Sequence, residues 1–83
     1  MRANRAYELI VSREGHEPVF LADPRRRDRI EVVSVDDGEV VLYWNVNAKV
    51  ASQLLKYLRE DLVTLDAEEF IDKWIGADAE DLF

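Results

Sequence analysis

The sequence predicts an α+β domain, a four-stranded antiparallel β-meander followed by two C-terminal helices packed on one face of the sheet. Three observations predict it. Apolar residues alternate at period two in the first half, Asp36-Asp37-Gly38 separates two β-rich runs, and after Trp44 the apolar period lengthens to that of an amphipathic helix. The chain has 83 residues, and one of this size buries only about 60 to 65% of its unfolded surface, too little for two independent cores. A single domain is therefore expected over 1–76, with a short acidic tail over 77–83.

The first strand is read at 7–12, where Tyr7, Leu9 and Val11 share a side and the residue types suit a pleated surface. A helical start from Ala3 competes with it. Turn chemistry at 13–18, including Gly15 and Pro18, predicts a return strand at 19–22. Residues 23–29 read as a loop, because Pro24 disfavours helical geometry at Asp23 and no apolar period runs through the arginines. Two further strands, 30–35 and 39–44, form a hairpin whose tight turn needs the positive φ that Gly38 supplies. Val40, Leu42 and Trp44 are expected to face the helices. Val41 and Tyr43 make the opposite face partly apolar as well, so a second subunit or the chain termini are expected to cover it, and a homodimer is one outcome.

Asn45 or Asn47 can cap the first of the two helices, in which Val50, Ala51, Leu54, Leu55, Leu58 and Leu62 form a stripe at helical spacing. Asp66-Ala67-Glu68-Glu69 has the form of a capping box, with Leu65 and Phe70 placed as a hydrophobic staple, so the second helix should start at about Ala67. Phe70, Ile71, Trp74 and Ile75 are its expected buried face. Gly76 is placed to end it in the left-handed conformation.

Charge is segregated along the chain. Residues 1–29 hold seven Arg against five acids, whereas 30–83 hold four cations against thirteen acids, which gives the net charge of −7. Such asymmetry bears on partners and orientation, through fields that act at a distance, and not on fold. With no Cys there is neither a disulfide framework nor a thiolate metal site, which fits a reducing cytoplasm. No apolar run approaches a signal-peptide core or a membrane span, so a cytosolic protein with no membrane partner is expected. Eight Arg against three Lys, with frequent Val, Ala and Asp, suits a bacterial or phage origin of high GC content.

Catalytic chemistry finds little support. His16 is the single histidine and falls in a predicted turn, with no partner to orient it and no legible substrate pocket. The adjacent acids Asp36-Asp37, Glu60-Asp61 and Glu68-Glu69 point in different directions wherever they lie on a helix, and Asp36-Asp37-Gly38 lacks the later ligands of a calcium loop. No catalytic residue, metal ligand or cofactor is expected.

Two surfaces remain. Arg25, Arg26, Arg27 and Arg29 could grip phosphates with their guanidinium forks, but the same loop holds Asp23 and Asp28, and no aromatic interleaves the arginines to stack bases. Nucleic-acid contact there is the alternative function, beside a plain solvated loop or a clamp on the acidic half. The leading expectation is a non-enzymatic interaction module or regulator that presents Glu68, Glu69, Asp72, Asp78, Glu80 and Asp81 to a basic protein partner, with Leu82 and Phe83 either entering a groove on it or folding back onto the domain. Acids at the start of the second helix also suit its dipole, and imitation of a DNA backbone is a third use of the same charges. The ending Asp81-Leu82-Phe83 is similar to the end of bacterial sliding-clamp-binding peptides but departs from it at Ala79 and Glu80, a likeness that chance accounts for.

Overall fold

A computed structural model describes residues 1–13 and 27–78. A single helical turn, α1 (Ala3–Ala6), leads directly into β1 (Tyr7–Arg13); β2 (Arg27–Ser34) and β3 (Val40–Asn47) follow, then α2 (Ala48–Thr64) and α3 (Ala67–Trp74). The strands form one antiparallel sheet in the order β1-β2-β3. The sheet described is thus three-stranded, and the return strand expected at 19–22, like the turn before it, lies outside the described residues. Both readings of the N-terminus hold in part, since the helical turn occupies 3–6 and the strand begins at Tyr7.

Period two decides which face of the sheet is dry. Ile30 and Val32 on β2 are fully buried, and Trp44 and Val46 on β3 are nearly so. Tyr7, Leu9 and Val11 of β1 are partly buried against the same cluster. From the helices come Ala51, Leu54, Leu55, Leu58 and Leu62 of α2 and Phe70 and Trp74 of α3, so sheet and helices share a single core. The stripe expected on α2 is the one observed, and Asn47 caps it, its side-chain oxygen accepting from the backbone N–H of Val50 at 2.9 Å. The capping bond satisfies one donor that the first turn leaves without an intrahelical acceptor.

The loop expected at 23–29 is corrected at its end, because β2 starts at Arg27, with Asp28 paired to Arg13 on one side and to Val46 on the other. Asp28, Ile30 and Val32 all point inward, and Asp28 is only 1% exposed. A carboxylate at an inward position broke the apolar alternation that would have revealed the strand. Val40, expected toward the helices, is instead 44% exposed. A β-bulge between Val32 and Val33 pairs Val33 with Val40 and leaves Val41 as the extra residue on β3, so Val40 takes the outer side with Val33. The strand expected to reach Val35 ends at Ser34, and Val35 lies in the turn, half exposed.

Gly38 sits at φ +74° in that turn, where its N–H donates to Ser34 O at 2.8 Å. Gly76 takes the same φ just past α3, as expected of a helix terminator. Two details of α3 differ from expectation. Ile75 is 63% exposed, because the helix stops at Trp74 and the extended backbone of Ile75 leaves it off the buried face. The Asp66 side chain makes no capping hydrogen bond; its carboxylate lies 4.0 Å from the Arg2 guanidinium instead.

Arg2 belongs to a strap that ties the N-terminus to the α2–α3 joint. Ala3 N–H donates to Leu65 O at 3.0 Å, Ala67 N–H donates to Met1 O at 2.9 Å, and the Arg2 guanidinium donates to Thr64 O at 2.7 Å. Ala3 itself is completely buried in the core. The strap positions α3, whose outward face carries three of the six candidate acids, Glu68, Glu69 and Asp72.

Truncation of the fully buried Phe70 to Ala should lower stability to urea by about 3–5 kcal/mol, through lost transfer energy and the cavity left behind. Gly38→Ala should cost about 1 kcal/mol by the same measurement, a purely backbone effect, because nothing lies within 4 Å of the added carbon.

Candidate interaction surfaces

The acidic surface is built around one tryptophan. Trp74, at the last position of α3, packs edge-on to Trp44 with ring centroids 5.9 Å apart and lies at a tilt to Phe70 at 6.5 Å. Phe70 in turn stacks on Tyr7 at 5.9 Å. Both indole N–H groups are satisfied: Trp44 Nε1 donates to Ala77 O at 3.0 Å, and Trp74 Nε1 donates to Asp61 Oδ2 at 2.9 Å. These bonds hold the end of α3 to β3 and to the last turn of α2.

Asp61 Oδ2 also takes the Lys73 ammonium at 2.7 Å. Its side chain is only 14% exposed while that of Lys73 is 54% exposed, so the pair is screened from the lysine side but less than one with both partners in water. Lys73 is the sole cation of α3. Drawn back onto Asp61 and lying 5.5 Å from the centre of the Trp74 ring, it neutralises the buried acid rather than the helix's outward ones. Glu68, Glu69 and Asp72 are exposed and form no ion pair among the described residues. Glu68 and Asp72 are four apart and share one face, whereas adjacent Glu68 and Glu69 diverge.

Sequence reasoning thus gathers Glu68, Glu69 and Asp72 on one helix, and the structure places Asp78 just beyond it, exposed. Glu80, Asp81, Leu82 and Phe83 lie outside the described residues. Missed by sequence reasoning was Asp61, twelve residues from Lys73, a separation that no local helix spacing would have flagged. An open recess of about 370 Å³ beside the start of α3 is lined by Met1, Asp66, Ala67, Glu68 and Glu69. Its walls offer carboxylates and a thioether, with no nucleophile and base in reach of one another. Among the described residues no group of three or more His, Cys, Asp or Glu is arranged to hold a metal ion. No described helix is long and apolar enough to cross a membrane.

The basic candidates are split. Arg25 and Arg26, like His16, lie outside the described residues, while Arg27 and Arg29 stand on the outer face of β2. Arg29 lies 3.6 Å from Glu31 Oε2, and its guanidinium sits over the Tyr43 ring at 4.4 Å. The aromatic partner that a linear reading of the arginine run does not find is thus provided by cross-strand register, which sets Glu31 opposite Tyr43 and Arg29 opposite Asn45. Tyr43 is 59% exposed, and Val41 and Ile10 on the same side are nearly half exposed, so this part of the second face is open, whereas Val33 on the same side is only 7% exposed. Among the described residues, Arg2 clamps onto the acidic half through Thr64 and Asp66. No family model, curated protein or solved structure matches this chain.

Trp74→Phe removes the donor to Asp61 and leaves a smaller ring in the space the indole fills. It should destabilise the protein by about 2–4 kcal/mol in chemical denaturation.

Proposed function

We propose that this chain is a non-enzymatic interaction module, acting in the cytosol as a small regulator or inhibitor, which presents the outward acids of α3 to a basic protein partner. One observation carries the reading: Lys73 is held by Asp61, so Glu68, Glu69 and Asp72 face solvent with no compensating cation on their helix. The scaffold beneath them is stiff, since α3 is fixed by two buried aromatic rings, an indole hydrogen bond and the N-terminal strap. A preorganised patch of one sign steers an oppositely charged partner and excludes like-charged ones, more than it adds affinity. Asp78 and the acids of the tail, Glu80 and Asp81, extend the patch in sequence, and Leu82 and Phe83 supply apolar anchors. The same charges serve if the partner is a DNA-binding protein and the helix stands in for a phosphate backbone. Self-association as a homodimer is part of this reading, because Tyr43, Val41 and Ile10 leave apolar surface exposed on the second face of the sheet.

A second reading rests on its own observation, the Arg29 guanidinium stacked on an exposed Tyr43 beside Arg27. Guanidinium and phenol together offer both a phosphate contact and a stacking surface. Glu31 lies beside Arg29 and weakens that site for a polyanion, which makes nucleic acid the lesser expectation.

Capture on the immobilised protein at low salt should retain a basic protein that about 0.5 M salt releases, as screening shortens the reach of exposed charges. The triple variant Glu68→Gln, Glu69→Gln, Asp72→Asn should lose it; equal retention by that variant would overturn the acidic reading. Filter binding of single-stranded nucleic acid across a salt series, with Arg27→Ala and Arg29→Ala compared to the parent, tests the second reading, and binding that ignores either salt or the arginines would remove it.

A further inference from the structure

We propose that the basic surface met by the acids of α3 is the outward face of α2 on a second copy of this chain, so that two copies pair reciprocally, α2 on α3 and α3 on α2. The proposal rests on the acidic reading of α3 given above and names its partner.

Lys49, Lys56 and Arg59 are the only cations that the sequence places between residues 30 and 72, against ten acids. All three are exposed on α2, and among the described residues none forms an ion pair. The buried residues of α2 take the other side of the helix, and spacings of seven and three set the cations along one outward stripe. Glu60 lies on that stripe too, and leaves it a surplus of two positive charges. Val63, four residues beyond Arg59, is exposed on it, as Ile75 is just past α3, so each face also offers an apolar side chain. Lys56 and Arg59 stand about 4.5 Å apart along their axis and Glu68 and Asp72 about 6 Å along theirs, a mismatch well within the reach of a lysine.

The occupant is a second copy because this chain carries both halves of the contact and does not join them itself. Its two helices touch where Lys73 reaches Asp61, and neither the outward cations of α2 nor Glu68, Glu69 and Asp72 form an ion pair among the described residues. Leu65 and Asp66 alone separate the helices in sequence, so a two-fold axis can set the cations of each copy against the acids of the other in one closed interface, where every pair occurs twice. The net charge of −7 opposes association only at long range. With a smallest extent of 19 Å, two copies in contact keep their centres beyond the Debye length of about 10 Å at 0.1 M salt, whereas facing side chains lie within it.

Sedimentation equilibrium of the full chain in 0.1 M salt provides the test. A dimer that dissociates on dilution and in about 0.5 M salt is expected, and a 9.7 kDa monomer up to millimolar concentration would overturn the proposal. The variant Lys49→Glu, Lys56→Glu, Arg59→Glu, changed only on the solvated side of a 17-residue helix, should keep its circular dichroism. Its dimer should weaken about a hundredfold, since facing charges become alike. Glu68→Lys with Asp72→Lys should weaken it as well. An equimolar mixture of the two variants should recover the dimer, because both contacts are then complementary again, and recovery shows that each variant is folded. A dimer indifferent to the α2 variant, or folded variants that stay apart when mixed, would overturn the proposal. A monomeric parent that still captures a basic protein through Glu68, Glu69 and Asp72 would overturn it while leaving the acidic reading in place.

Discussion

The docking of Trp74 is the contact on which the rest of the structure depends. Its ring closes the core against Trp44 and Phe70, and its N–H claims a carboxylate at the end of α2. A helix of eight residues is too short to be stable on its own, so α3 exists because this face is buried. The same carboxylate then holds Lys73, and that single diversion sets the sign of the outward surface. The burial that fixes the helix also sorts its charges, with the cation drawn to Asp61 on α2 and the acids left without one.

Much of the fold was legible because its periods are strong. The leucine stripe of α2, the Gly38 turn and the alternation of Tyr7, Leu9 and Val11 each follow from local spacing, and the structure places them as spacing requires. What sequence could not reveal depended on tertiary context. Asp28 interrupts an apolar pattern while sitting in a strand, so three residues of β2 read as loop. A bulge shifts parity by one, which turned Val40 outward. The capping motif at Asp66 has the right letters, but Arg2, sixty-four positions away in sequence, competes for the same carboxylate.

The surfaces divide in the same way. Exposed acids on α3 could be read from helical spacing, since polar residues opposite an apolar face stay in water. Their lack of counter-charge could not, because the Asp61 and Lys73 contact joins two helices. Likewise the arginine run announces itself in the sequence, whereas Tyr43 comes beneath Arg29 only through the pairing of β2 with β3. Sequence reports which groups are present on a face, and register reports which of them touch.

The N-terminal strap carries a consequence in time. Ala3 plugs the core and bonds to Leu65, and Met1 bonds to Ala67, so residues 1–3 find their partners only after some sixty later residues have been made. Closing so long a loop late is slow compared with forming a hairpin or a helical turn. During synthesis β1 to β3 and α2 can assemble first, with the core left open at the site of Ala3 until the α2–α3 joint emerges. The core is therefore sealed at Ala3 late, once residues 65–67 have been made.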